Sequence, residues 1–175
     1  HVLYRNHEPP ESSRVQKVRD YVKLLGLSFP EKPTQADYQA IITATRERID
    51  APSIHSVLLR SMMQAYYGPD NLGHFGLAYE AYSHFTSPIR RYPDLLLHRA
   101  IKAHLASQPQ PLDEKQLEDA GLHYSQTERR ADEAARSVMS WLKCHYMQQH
   151  VGEEFEGSVS AVTEFGLFVT LSSLY

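Results

Sequence analysis

The chain has 175 residues, enough to bury a real core, and its 42% hydrophobic and 22% charged content is close to ordinary globular composition. A formal net charge of −3 argues against a protein that coats nucleic acid by bulk attraction, while leaving room for a local basic site. The single cysteine, Cys144, excludes an internal disulfide and suits a reducing, cytosolic setting, and no apolar run approaches the roughly 18 residues of a membrane span.

An opening at His1 rather than Met, with no charged-then-apolar leader, suits a fragment, a processed chain or an expression scar. Arg5 to Pro10 reads as an extended lead-in, because paired prolines lack amide donors. Glu11 to Leu27 reads as a helix: Val15, Val18, Val22 and Leu25 recur at three and four, Ser12 or Ser13 can cap it, and Gly26 can stop it. After the loop "SFPEKP", Thr34 opens a second helix carrying Tyr38, Ile41, Ile42 and Ala44. A third is expected from Ile49 to Tyr67, with Ile54, Leu58, Met62 and Tyr66 along one side. Gly68 to Gly73 is turn chemistry, and residues 74 to 87 read mostly as coil.

A helix is expected from about Ser87 to Leu105, followed by the polar linker "ASQPQP". Asp113 starts another helix, weakened near Gly121, and Ser125 with Glu128 has the spacing of a capping box for a long helix ending near His150. From Val151 the helical period is lost, and Leu167, Val169 and Leu171 alternate as in a strand. Two strands with a turn around Thr163 to Gly166 suggest the start of a small barrel, and two strands alone are marginal, so the chain is expected to end inside a second domain.

The densest chemistry lies in "HFTSPIRRYPDL", His84 to Leu95. Ser87-Pro88 is a good helix cap and first residue, and the amides of a first turn attract anions. Pro93 lacks the amide that would bond back to Ile89, so a helix must distort or restart there and can re-aim Arg90 and Arg91. Between Thr86 and His104, Asp94 alone offsets Arg90, Arg91, Arg99 and Lys102. The forked guanidinium suits phosphate. Physical chemistry alone leaves two readings open, an ordinary helix start and an anion site.

Other candidates are weaker. None of the ten histidines pairs with another at i, i+4, and "HEPP" cannot be a helical zinc motif. Glu128 and Asp132 share a helical face, but Arg136 follows Asp132 by four and Arg129 precedes Glu133 by four, as on a salt-bridged surface. Cys144 reads as a helix residue rather than a nucleophile. Phe168 falls opposite Leu167 and Val169, where an exposed aromatic could stack on a base or pack under another strand.

The stretch "HFGLAYEAYSHFTSPIRRYPDLLLH", His74 to His98, closely resembles the signature of the ribonuclease II/ribonuclease R (RNB) family. The match holds in order and spacing at His74 to Leu77, Tyr82, Thr86 to Pro88, Arg90 to Tyr92, Asp94 and His98. "YRNHEPP" and "TERRADEAARSVMSWLKCHYM" look like its bacterial ribonuclease R branch, and "VGEEFEGSVSAVTEFGLFVTL" looks like the opening of an S1 domain.

The resemblance implies a mainly α chain. Residues 1–150 would be the helical C-terminal part of an α/β catalytic domain, and 151–175 the incomplete start of an S1 (OB-fold) RNA-binding domain. It implies a cytoplasmic, processive 3′-to-5′ exoribonuclease that takes the single-stranded 3′ end of RNA and hydrolyses it to nucleoside 5′-monophosphates with Mg2+. Arg90 matches the arginine that contacts the scissile phosphate. Arg91, Ser87 and Thr86 are expected to be further phosphate contacts, and Phe168 a base-stacking candidate. Tyr92, His84 and His98 are expected to pack or to support the contacting residues from behind, and Asp94 to orient an arginine or pair with His98. The aspartates that hold metal in the family have no clustered counterpart here, so no metal ligand is assigned and the chain alone is expected to be inactive. A helical RNA-binding or adaptor module without catalysis is the alternative.

Overall fold

The computed structural model describes residues 1–171, and the expected S1 positions 172–175 lie outside the described residues. They form two compact units, the first from His1 to Thr127 and the second from Glu128 onward. Helices dominate, with short strands, as the sequence leads one to expect.

In the first unit, β1 (Tyr4–Asn6) leads to α1 (Ser12–Leu24), α2 (Gln35–Thr45) and α3 (Ala51–Ser61). Val15, Val18 and Val22 of α1 are all buried, against Tyr38 and Ile41 of α2 and Ile54 of α3. The three-and-four spacing is what turns these side chains inward together. No side chain caps α1, which begins at Ser12 after an extended Glu11, so the serine cap is corrected. The stop at Gly26 is as expected. Its φ of +76° lets Leu27 N–H reach the Val22 carbonyl at 3.1 Å and its own N–H reach that of Lys23 at 3.1 Å.

The third helix is shorter than its periodicity predicts. It ends at Ser61, Met62 is extended, and Tyr66–Gly68 forms β2, antiparallel to β1 with Arg5 opposite Tyr67. Two long-range bonds hold the chain out of helix there: Arg14 Nη1 donates to the Met62 carbonyl at 3.1 Å, and His7 Nε2 to that of Met63 at 2.6 Å. Beyond β2, buried Asn6 donates to the Asp70 carbonyl and accepts from Leu72 N–H, which ties down the turn. A single 3₁₀ turn, Phe75–Leu77, interrupts the expected coil.

Helix α4 runs Tyr92–Leu105, and α5 is one continuous helix, Glu114–Met147, where two were expected. Ser125 is inside α5 and caps nothing; its hydroxyl donates to the Gly121 carbonyl at 2.7 Å and accepts from Tyr67 N–H at 2.9 Å. Gly121 is there because β2 comes close: a Cβ would lie 2.7 Å from the Tyr67 carbonyl oxygen. Leu3, Tyr67, Leu96 and Leu117 close a second small core around this contact.

The second unit carries the rest of α5 and a hairpin, β3 (Gly157–Thr163) with β4 (Gly166–Leu171). The register shifts between Val159 and Ala161, a bulge at Ser160, whose hydroxyl donates to the Phe168 carbonyl. Val159, Leu167, Phe168 and Val169 are each at least half exposed, so neither face of this hairpin is covered among the described residues.

Candidate functional site

The segment before α4 is a tight turn rather than the first turn of a helix. Pro93 sits in the first turn of α4, which starts at Tyr92 with Arg91 as its cap, so the helix expected from Ser87 restarts five residues later. The amides of Arg90 and Arg91 both bond to the Ser87 carbonyl, at 3.2 and 3.0 Å. The Ser87 amide donates to Asp94 Oδ2 at 2.7 Å. Those three amides are therefore committed within the turn.

The two arginines differ. Arg91 Nη2 lies 2.8 Å from Asp94 Oδ2; its side chain is 23% exposed and that of Asp94 is fully buried. Asp94 Oδ1 and Arg91 Nε are buried with no hydrogen-bond partner among the described residues. Arg90 is exposed, and no hydrogen bond or ion pair holds its guanidinium among the described residues. Beside it Ile89 is 103% exposed and Thr86 is exposed, so the tip of the turn is unpacked. The structure thus brings Thr86, Ser87, Arg90 and Arg91 into one turn, with Arg90 outward and Arg91 engaged inward.

Asp94 and His98 are four apart on one face of α4, but they do not pair with each other. Each grips the preceding segment: Asp94 the Ser87 amide, and His98 Nε2–H the Phe85 carbonyl at 2.9 Å. The His98 ring also stacks flat on Phe85, centroids 4.3 Å apart. Only the i, i+4 spacing hinted at this double grip in the sequence. Tyr92 is half exposed, with Arg99 Nη1 donating to its hydroxyl at 2.9 Å, and lies beside Tyr124.

A set of rings joins β2 to the segment that precedes the turn in the chain. The Tyr67 hydroxyl and His84 Nδ1 are 2.8 Å apart, and His84 packs edge-on against Tyr82, which packs edge-on against His74. His7 donates from Nε2 to Met63 and accepts at Nδ1 from Gly76 N–H, which fixes it as the neutral Nε2–H tautomer. Burial pushes the His74 imidazole below its ordinary 6.5, and the charge of nearby Arg5 pushes it the same way. Tyr66 is pushed up to about 12, first by burial and then by its 2.6 Å bond to Glu8. A hollow of about 730 Å³ lined by His7, Glu8, Arg14, Met62 and Tyr66 takes none of its lining from residues 84–95.

Phe168 lies on β4, 51% exposed and edge-on to Phe165, and belongs to the second unit. Among the described residues, no group of three or more His, Cys, Asp or Glu side chains could hold a metal ion. The Mg2+ that the resemblance implies does not fit the residues described.

A family model described as the RNB domain matches residues 1–107. The chain is 50% identical over 187 residues to ribonuclease R of Vibrio cholerae, covering 99% of this chain and 23% of that protein. Against ribonuclease R of Escherichia coli the identity is 46% over 187 residues, with the same two coverages. Among solved structures, Mycoplasma genitalium RNase R in complex with double-stranded RNA superposes with a TM-score of 0.86 at 27% identity, over 99% of this chain and 32% of that one. Yeast Ssd1, a pseudonuclease, is similar over 70% of this chain and 16% of its own, with a TM-score of 0.62 at 26% identity.

Proposed function

The chain belongs to the RNB-domain family, and from that premise we propose that it is part of a processive, cytoplasmic 3′-to-5′ exoribonuclease acting on the single-stranded 3′ end of RNA. The observation that carries the proposal is an exposed Arg90, without a partner among the described residues, at the tip of a turn whose base is held by the fully buried Asp94. Hydrolysis adds water oxygen to phosphorus, breaks the bond to the 3′ oxygen of the preceding nucleotide, and returns a proton to that oxygen. The products are a nucleoside 5′-monophosphate and an RNA shorter by one. Negative charge grows on the non-bridging oxygens during this step, and a pre-positioned guanidinium there stabilises it without reorganising. Arg91, Ser87 and Thr86 extend the phosphate contact, Arg91 through whatever part of its guanidinium Asp94 leaves free.

Residues 151–175 would begin an S1 domain, supported by the bulged β3–β4 hairpin, with Phe168 offering a ring for a base. The magnesium would be bound by carboxylates elsewhere in the full-length protein, so the 175 residues alone would release no mononucleotide. The likeness to Ssd1, a pseudonuclease, keeps a second reading in play: an RNA-binding or adaptor module without hydrolysis. The full-length protein and the isolated chain, each given 3′-labelled single-stranded RNA and Mg2+, separate these readings. The enzyme reading expects labelled 5′-mononucleotide from the full-length protein only. RNA binding without product from the full-length protein would establish the second reading instead.

A further inference from the structure

We infer that Asp94 is a positioning residue for Arg90: its buried carboxylate locks the base of the Ser87–Arg91 turn and so sets where the Arg90 guanidinium meets phosphate. The inference rests on the phosphate-contact reading of Arg90. At the tip, Ile89 is fully exposed and Arg90 is exposed, so no core contact fixes the position of the guanidinium. Its placement must come from the base of the turn. There the bonds converge on Ser87, whose carbonyl accepts from Arg90 and Arg91 N–H and whose own N–H reaches Asp94 Oδ2. The same Oδ2 takes Arg91 Nη2 at 2.8 Å. One oxygen thus ties the start of the turn to its end. Pro88 and Pro93 have no amide to offer an alternative pairing.

A carboxylate suits this place because both partners are donors, and charge-assisted bonds are the shorter and stronger kind. Full burial keeps water from competing for them. His98, one helical turn on, holds the Phe85 carbonyl, so the turn hangs from two points on a single face of α4. Asp94 does not need to touch RNA for this role. A displacement of about 1 Å at a charge-stabilising group is enough to slow a reaction roughly 100-fold.

The test is a double-mutant cycle in the full-length protein, using Asp94→Asn, Arg90→Ala and the pair. It reads single-turnover mononucleotide release at saturating RNA, and RNA affinity separately. Asp94→Asn is expected to slow release about 10-fold or more while changing affinity less than about threefold, and to slow the Arg90→Ala background hardly at all. Equal slowing in both backgrounds, or wild-type release by Asp94→Asn, would overturn the inference. If Arg90→Ala itself leaves release unchanged, the phosphate-contact reading has failed instead. Should Asp94→Asn not fold, Asp94→Asn with Arg91→Met removes both charges together and leaves neither buried alone. Release at the wild-type rate from that variant would equally defeat the role assigned to Asp94.

Discussion

A guanidinium lying against a fully buried carboxylate is costly to remove, because the carboxylate stays behind without its countercharge. Arg91 is in that position, and one oxygen of Asp94 already lacks a partner among the described residues. Arg91→Ala is therefore expected to lower stability by about 3 kcal/mol, and Arg90→Ala by less than about 0.5 kcal/mol, since an exposed side chain leaves nothing unpaired. Thermal unfolding of the two variants checks this, and equal losses would contradict it. The His74 imidazole carries a pH prediction of its own. Its folded pKa lies below 6.5, so the folded state binds that proton less readily than the unfolded chain does. This contribution to stability is present above about pH 6.5 and is lost as pH falls through the folded value. His74→Asn should flatten that part of a stability-versus-pH curve. An unchanged slope would place the acid sensitivity elsewhere. The sequence showed that Arg90 and Arg91 sit in one candidate site, but their opposite surroundings depend on Asp94 being buried, which no local pattern reveals.

At the level of elements, the packing of α5 on β2 is the most demanding contact in the first unit. Ordinarily Ala in place of a helical Gly gains about 1 kcal/mol. At Gly121 the added methyl would meet the Tyr67 carbonyl at 2.7 Å and Leu3 at 3.3 Å, so Gly121→Ala should instead destabilise by about 1–3 kcal/mol. Denaturant unfolding gives the sign directly, and a stabilised variant would mean that β2 can shift. The same contact explains what was legible in the chain and what was not. Helices α1 and α2 could be read because the residues that bury them lie within each helix at regular spacing. The end of α3 could not, because Tyr66–Gly68 is claimed by Tyr4–Asn6, some sixty residues away in sequence. The break expected in α5 was wrong for a related reason: Gly121 and Ser125 answer to Tyr67 rather than to their own helix. The start of α4 was half legible, since Pro93 announced a restart but not the length of the turn before it.

At the scale of the whole chain, a net charge of −3 over these 175 residues gives no bulk attraction for a polyanion, so any phosphate affinity they have has to be local. Arg90 is an exposed cation of the family motif, and it is offered at the unpacked tip of a turn whose base is tied to the buried Asp94. That arrangement suits a group that acts on charge developing during reaction more than one that only anchors substrate. The most direct measurement compares wild type with Arg90→Ala in the full-length protein, reading single-turnover mononucleotide release at saturating RNA and the dissociation constant for the same RNA. Release is predicted to fall at least about 100-fold while the dissociation constant moves less than about threefold. Equal losses in binding and release would make Arg90 an anchor only, and unchanged release would remove it from the reaction altogether.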